Sequence, residues 1–430
     1  MARVYFIDVT NRDGVQTAGI SLAKLQKTMV NYYLGQLGVY QSELGFPCLW
    51  HEVNYIEANL ELARQGAMGN LVLEGWCRAT VEDVEKAVRT TSLQHLNLSV
   101  PTSAQMIWGK FAGRVDARMV ITNMVSAVRR AKDAGILTVG VNAEDASRTE
   151  LSYLIEFAQA AKDAGAERLR YCDTIGIESP THIYNRIKAL AEEAGMPIEM
   201  HCHNDLGMAV GNTIAGVKAA LEAGVDVYVN ATVNGLGERA GQADLLSCIL
   251  ALEFAHELGG EVELGDRIDL MVARRLAHYV ARAFDQPLPI NQPGVGASVF
   301  AHESGIHADG VLKDRRNYEL FDYDLLGPVK LCSAPDGRVI TTGEYGGLAG
   351  LRHVYEQIGI VFEDAVQARQ ILELVQAANL HTQMPLTDDE LVLIARYPDQ
   401  VRKLLSFPSL EPVAGGREAT LEFAGAVGNG

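Results

Sequence analysis

The chain has 430 residues, a length that suits one large domain with appendages better than one small core. It is 48% hydrophobic and 21% charged, an ordinary globular composition, and no apolar run is long enough to span a bilayer. A formal net charge of −17 without a long basic stretch argues against nucleic acid as a partner, and an anionic substrate would need local positive groups against that field.

The N-terminus enters a strand pattern at once (Val4-Tyr5-Phe6-Ile7-Asp8), with no charged leader, apolar segment and cleavage site, so a cytoplasmic location is expected. Strands are predicted at 4–10, 40–46, 70–76, 94–100, 136–142, 167–173, 198–203 and 226–232, each followed by a helical pattern. Five segments share one design: an amphipathic helix, a glycine, then a short apolar strand. The glycines at 135, 165, 195 and 224 are spaced 30, 30 and 29 apart, and each would end a helix in the left-handed conformation. A period near 30 is one βα unit, so eight such units predict an α/β fold, a (β/α)8 TIM barrel. The absence of GxGxxG after the first strand argues against an open dinucleotide-binding sheet. The rhythm stops after about residue 258. Residues 1–285 are therefore predicted to form the barrel. Residues 286–345, rich in Gly, Pro and polar residues, read as a linker and small irregular subdomain, and 346–430 as a helical C-terminal subdomain with a loose tail. Cys48, Cys77, Cys172, Cys202, Cys248 and Cys332 lie far apart with no CxxC, and read as reduced thiols rather than a disulfide frame or zinc cage.

The chemistry-bearing residues fall where the predicted strands end, the rim on which TIM barrels carry their active sites. His201 and His203 lie one residue apart at the end of strand seven and project to the same face, which suits two imidazoles on one divalent ion (Mn, Mg or Zn) or simply two packed histidines. Asp13, after strand one, is the natural third ligand. A carboxylate with two imidazoles leaves open positions for a substrate with adjacent oxygens, such as a 2-oxo acid. Arg12 could stabilise the oxyanion that forms, or could be a structural partner of Glu43 or Glu144.

These residues carry a resemblance. Arg12-Asp13-Gly14-Val15-Gln16, His201-Cys202-His203-Asn204-Asp205, Asn234-Gly235-Leu236-Gly237-Glu238-Arg239-Ala240-Gly241 and the stretch from Phe300 to Lys313, followed by Tyr318-Glu319, resemble the metal-dependent Claisen-condensing TIM barrels. That family includes the 2-isopropylmalate, homocitrate, citramalate and Re-face citrate synthases. The resemblance covers about residues 4–330. It implies metal ligation by Asp13, His201 and His203, and an Arg12 that steadies the developing alkoxide. It also implies a substrate pocket built with Gln16, Glu43, Glu144 and Thr174. In a homodimer, His307 and Tyr318 would reach the partner's barrel, His307 serving the acid–base chemistry of acetyl-CoA enolisation. The chain departs from the family pattern in three places. Gln242 stands where the family commonly has an Asn counted as an outer metal ligand. Ser103-Ala104-Gln105-Met106 lacks the usual Ser-Asp-Ile-His or Ser-Asp-Ile-Gln. Gly140 stands where lysine-pathway homocitrate synthases carry an arginine.

If Thr174 faces the site, period two turns Cys172, Arg170 and Arg168 inward as well. A buried arginine needs an anion. Arg170 is expected either to hold the distal carboxylate of a dicarboxylic 2-oxo acid or to bridge structurally to Glu43 or Glu144. The wording of strands five and six resembles nitrogenase-associated homocitrate synthases and Re-citrate synthases. Condensation of acetyl-CoA with 2-oxoglutarate is thus the first expectation, with oxaloacetate next and isopropylmalate or citramalate synthesis third. A retro-Claisen lyase of the hydroxymethylglutaryl-CoA type would be expected to carry a cysteine in the glycine loop after strand eight, and here the next cysteine is Cys248. A metal-binding scaffold would not need Arg12, Glu144 and His307 together.

Overall fold

A computed structural model describes residues 2–259, 262–265, 267–328 and 338–405, so Cys332 and the predicted loose tail lie outside the described residues. The chain divides into two compact units, Met1–Phe300 with Leu320–Arg338, and Ala301–Glu319 with Val339–Gly430.

In the first unit, eight parallel strands close on themselves in sequence order: β1 (Val4–Asp8), β2 (Gln41–Gly45), β3 (Val72–Arg78), β4 (His95–Pro101), β5 (Thr138–Glu144), β6 (Arg168–Asp173), β7 (Ile198–Cys202) and β8 (Val227–Ala231). Pairing of β8 with β1, from Val4↔Val227 to Asp8↔Ala231, completes the predicted barrel. Helices α1 (Lys24–Leu37), α2 (Val53–Arg64), α3 (Val81–Thr90), α4 (Ala104–Phe111), α5 (Ala117–Asp133), α6 (Leu151–Ala164), α7 (Pro180–Ala194), α8 (Ala209–Glu222), α9 (Leu245–Phe254) and α10 (Ala273–Ala283) follow in turn. Side chains of Thr80, Ser103, Asp116 and Asp244 cap α3, α4, α5 and α9 by accepting backbone N–H bonds. The periodic glycines do the stopping: Gly165, at φ +103°, donates its N–H to the carbonyls of Ala161 and Lys162.

Leu98, Val141, Leu169, Met200 and Val229 belong to one apolar layer with helix residues such as Val128, Phe157 and Val217. The opposite face of the same strands is unusual. Where a barrel interior is commonly Val, Ile and Leu, here it carries Glu43, Glu74, Arg168, Arg170, Glu199 and Asn230, all buried. Register sets Glu43 beside Glu74, Arg170 beside Glu199, and His201 beside both Cys172 and Asn230. At Gly140 a Cβ would lie 2.7 Å from Asn97 Nδ2 and 3.3 Å from the Arg168 guanidinium, so glycine there leaves room for Arg168.

The second unit holds β9 (Ala301–His302) paired in parallel with β10 (Val339–Ile340), and helices α11 (Gly305–Lys313), α12 (Leu348–Gln357), α13 (Ala365–Thr382), α14 (Asp388–Arg396) and α15 (Pro398–Leu405). Leu351, Tyr355, Ile371, Val375 and Ile394 form its core. The compact units thus cut differently from the predicted segments at 286 and 346. Phe321 packs at 5.2 Å on Phe254 and Leu326 is buried in the barrel unit's core, which ties part of the predicted subdomain to the barrel. Residues 301–319 belong with the C-terminal helices. Among the described residues, no helix is long and apolar enough to cross a membrane.

Candidate active site

Three predicted ligands come together. Asp13 leads the short turn Gly14–Gln16 after β1, His201 lies in β7, and His203 is held just beyond it by a bridge to Gln242. Their ligand atoms all lie within 4.8 Å of one another, with His201 Nε2 3.3 Å from His203 Nε2 and 3.4 Å from Asp13 Oδ2. His201 Nδ1 donates to Asn230 Oδ1 at 2.7 Å, since the amide nitrogen of Asn230 is committed to Glu199 Oε1. His203 Nδ1 donates to the Gly241 carbonyl at 3.2 Å. Both Nδ1 atoms therefore carry the proton, and the two bare Nε2 lone pairs face each other beside a carboxylate. Such a meeting is repulsive unless a cation sits between them, so the cluster is one that could hold a metal ion.

Electrostatics point the same way. Burial pushes the Asp13 carboxyl up, but Arg12 and then His201 and His203 outweigh it and hold it at about 2. Burial brings His201 down to about 4, against the pull of Asp13, and lowers His203 as well. The trio is one carboxylate and two neutral imidazoles at neutral pH, the forms that ligate. Gln242 donates from Nε2 to Asp13 Oδ2 at 3.1 Å, while its buried Oε1 has no hydrogen-bond partner. Swinging or flipping that amide would offer an oxygen donor to an ion, so the donor set fits a divalent metal with oxygen and nitrogen preference.

Arg12 is braced on two sides: its Nε donates to Glu43, and Nη1 lies 3.4 Å from Asp13 Oδ1. Its guanidinium also rests over the Trp76 ring at 5.7 Å. Of the two partners predicted for it, Glu43 is present and Glu144 is not; Glu144 receives Lys110 Nζ at 2.6 Å on both oxygens. Glu43 is fully buried between Arg12 and Arg170, the structural pairing named as the alternative for both arginines.

Of the two readings open for Arg170, the geometry favours the structural one. Expected to meet a substrate carboxylate or to bridge to Glu43 or Glu144, it is fully buried, with Nη2 2.7 Å from Glu43 Oε2 and Nε 2.7 Å from Glu199 Oε1. Its charge is already matched inside the barrel. Arg168 closes the network, 2.6 Å from Glu74 and 2.7 Å from Glu199. Glu199 thus joins two arginines to Asn230 and, through it, to His201. Glu74, Glu199 and Asn230 were not among the predicted residues. The signal for Glu199 was present, since it precedes His201 by two on the same strand.

The other predicted residues are spread more widely. Gln16 is exposed at the end of the turn that Asp13 starts. Thr174 accepts the Asp145 N–H on Oγ1 at 2.9 Å, and its carbonyl accepts from Arg239 at 2.7 Å, so it ties the loops after β5, β6 and β8 together. His307 and Tyr318 lie in the second unit, where their rings stack at 4.1 Å and both are exposed.

Comparison with known proteins places this geometry. A family model described as HMGL-like matches residues 3–280, and one described as homocitrate synthase post-HMGL domain-like matches residues 295–382. A citrate (Re)-synthase of Dehalococcoides mccartyi is 53% identical over 412 residues, covering 95% of this chain and 99% of that one. A 2-isopropylmalate synthase of Caldanaerobacter subterraneus is 38% identical, covering 93% of this chain and 96% of the relative. A homocitrate synthase of Nostoc is 32% identical, covering 92% and 98%. Among solved structures, an HMG-CoA lyase from Brucella melitensis superposes with a TM-score of 0.54 at 16% identity, covering 66% of this chain and all of that one, which shows a shared barrel fold.

Proposed function

The chain belongs to the HMGL-like family, among its Claisen-condensing synthases, and is an acyltransferase; from that premise we propose that it joins acetyl-CoA to oxaloacetate, making citrate and releasing CoA. The observation that carries this reading is the 53% identity to a citrate (Re)-synthase over nearly the whole of both chains. It moves oxaloacetate ahead of 2-oxoglutarate, the substrate first expected from sequence. The homocitrate synthase reading stays second, supported by the match of residues 295–382 to the homocitrate synthase post-HMGL model.

Asp13, His201 and His203 would hold the divalent ion, with Gln242 Oε1 within the same buried cluster. When bound, such an ion polarises the keto carbonyl of a chelating 2-oxo acid. Arg12, fixed by Glu43 beside Asp13, presents its guanidinium to the oxygen on which negative charge grows as the new carbon–carbon bond forms. His307, stacked on Tyr318, takes the methyl proton of the acetyl group, and the pair serves a neighbouring subunit of a homodimer. Water then cleaves the thioester, and loss of CoA makes the sequence irreversible.

A panel of 2-oxo acids with acetyl-CoA, read by CoA release, tests the reading. Oxaloacetate should give the highest kcat/KM. A preference for 2-oxoglutarate, 2-oxoisovalerate or pyruvate would reject the substrate and leave the reaction type standing. Carbon-labelled acetyl-CoA should place its label in oxaloacetate after cleavage of the product by a Si-specific citrate lyase; label recovered in acetate would assign the opposite face.

A further inference from the structure

Cys48 and Cys77 are 29 residues apart in sequence, yet their sulfurs lie 3.7 Å apart. Cys48 sits in the turn between β2 and α2, and Cys77 is the last residue but one of β3. Cys48 is the only one of the described cysteines that is not buried; Cys77, Cys172, Cys202 and Cys248 all are. We propose that Cys48 and Cys77 form a reversible thiol–disulfide site, oxidised by a low-molecular-weight disulfide, that disables the barrel rim at Arg12.

Accessibility assigns the roles. The Cys48 thiolate attacks one sulfur of the small disulfide, whose S–S bond breaks and releases one thiol. The buried Cys77 then attacks the Cys48 sulfur of the mixed disulfide and displaces the second thiol. Two electrons pass from the pair to the oxidant, and the two cysteine protons end on the two thiols released. Contact with Cys77 is also the main influence that lowers the Cys48 thiol from its ordinary range, with Lys86 and Arg78 helping, while Cys77 is raised.

The site bears on Arg12 through two short links. Trp76, next to Cys77, lies under the Arg12 guanidinium at 5.7 Å. Phe46, two residues before Cys48, meets Trp76 edge-on at 5.6 Å. Between them the chain is tightly seated: a Cβ at Gly75 would lie 3.0 Å from the Pro47 ring. A disulfide needs its sulfurs about 2.05 Å apart, so the 3.7 Å gap closes by side-chain rotation together with, on this proposal, a shift of the β2–α2 turn toward the end of β3. On this proposal the closure shifts Trp76 and so removes the surface on which Arg12 rests.

The intact protein should be equilibrated with oxidised and reduced glutathione in a graded series, then alkylated, digested and mapped by mass spectrometry. Parallel samples are assayed for CoA release and tryptophan fluorescence. A Cys48–Cys77 peptide should be the main protein disulfide, and its formation should track an activity loss of roughly ten-fold or more that dithiothreitol reverses. Cys48→Ser should abolish both, and Cys77→Ala should stop at the mixed disulfide on Cys48. If the buried Cys77→Ala variant does not fold, wild-type mapping and Cys48→Ser still decide. Glutathione retained on wild-type Cys48 without the internal bond, a linked protein with full activity, or undiminished inactivation of Cys48→Ser would each overturn the proposal. Because the linkage is read on the peptide, its absence is distinct from an error in the substrate assignment.

Discussion

Replacing Arg170 with methionine separates a structural arginine from a substrate-binding one. The guanidinium is fully buried, with Glu43 and Glu199 each at 2.7 Å and Glu74 at 4.0 Å. Methionine fills much of the volume but leaves two carboxylates short of a partner. Neither is stranded outright, because Glu43 keeps Arg12 and Glu199 keeps Arg168 and Asn230. The expected cost is therefore that of one broken buried pair, about 3–5 kcal/mol, or roughly 10²- to 10⁴-fold in the folding equilibrium. Urea unfolding of the barrel unit, followed by circular dichroism at neutral pH, should show the lowered midpoint. Adding Glu199→Gln should recover part of it, because one buried negative charge fewer offsets the positive charge removed with Arg170. Activity should fall by a similar factor with oxaloacetate and with a monocarboxylic acid such as 2-oxoisovalerate, since the damage reaches the site through Glu43–Arg12 and Glu199–Asn230–His201. Unchanged stability together with a loss confined to dicarboxylic substrates would refute this reasoning and return Arg170 to the substrate.

Asp13→Asn and His203→Gln should each deplete the purified protein of divalent metal as measured by elemental mass spectrometry; full metal content in either variant would place the ion elsewhere. Gln242→Ala should weaken metal binding by roughly 10- to 100-fold in chelator competition, through the lost bond to Asp13 and the lost oxygen donor, and unaltered affinity would show that neither contributes. Burial raises Glu74 from 4.5 to about 7, so between those values the native state binds a proton that the unfolded state has lost, and this group's contribution to stability falls as pH rises through the window. Glu74→Gln, which keeps an acceptor for Arg168, should therefore gain stability relative to wild type from pH 4.5 to 7 by on the order of 3 kcal/mol, and a pH-independent difference would show an ordinary carboxylate. Mixing inactive Asp13→Asn with inactive His307→Ala should restore part of the activity through mixed dimers, and no recovery after verified subunit exchange would mean that each barrel is completed by its own chain.

The barrel was legible because its signals are local. The helix, glycine, apolar strand design of five segments needs no knowledge of distant residues, and all eight strands overlap their predicted spans. The ligand histidines were legible for the same reason, since alternation alone turns His201 and His203 to one face. What was not legible depends on closure of the barrel. The Arg170–Glu43 bridge was one of two expectations, and only the closed ring, which brings β2 across from β6 over 127 residues of sequence, selects it. The contact of Cys48 with Cys77 likewise needs the β2–α2 turn seated on β3. The boundary drawn at residue 286 missed Phe321 and Leu326, which return to the barrel core after 301–319 have joined the other unit. Counting charges on the inward face would have favoured the structural of the two readings of Arg170. Alternation that turns Arg168 and Arg170 inward also turns in Glu43, Glu74 and Glu199, and with Arg12 the interior holds three arginines against three glutamates, every one of them buried. With Arg168 and Arg170 each held by two buried glutamates, neither is a spare guanidinium for a substrate anion. On the proposed reading, the distal carboxylate of oxaloacetate then falls to residues of the loops on the barrel rim.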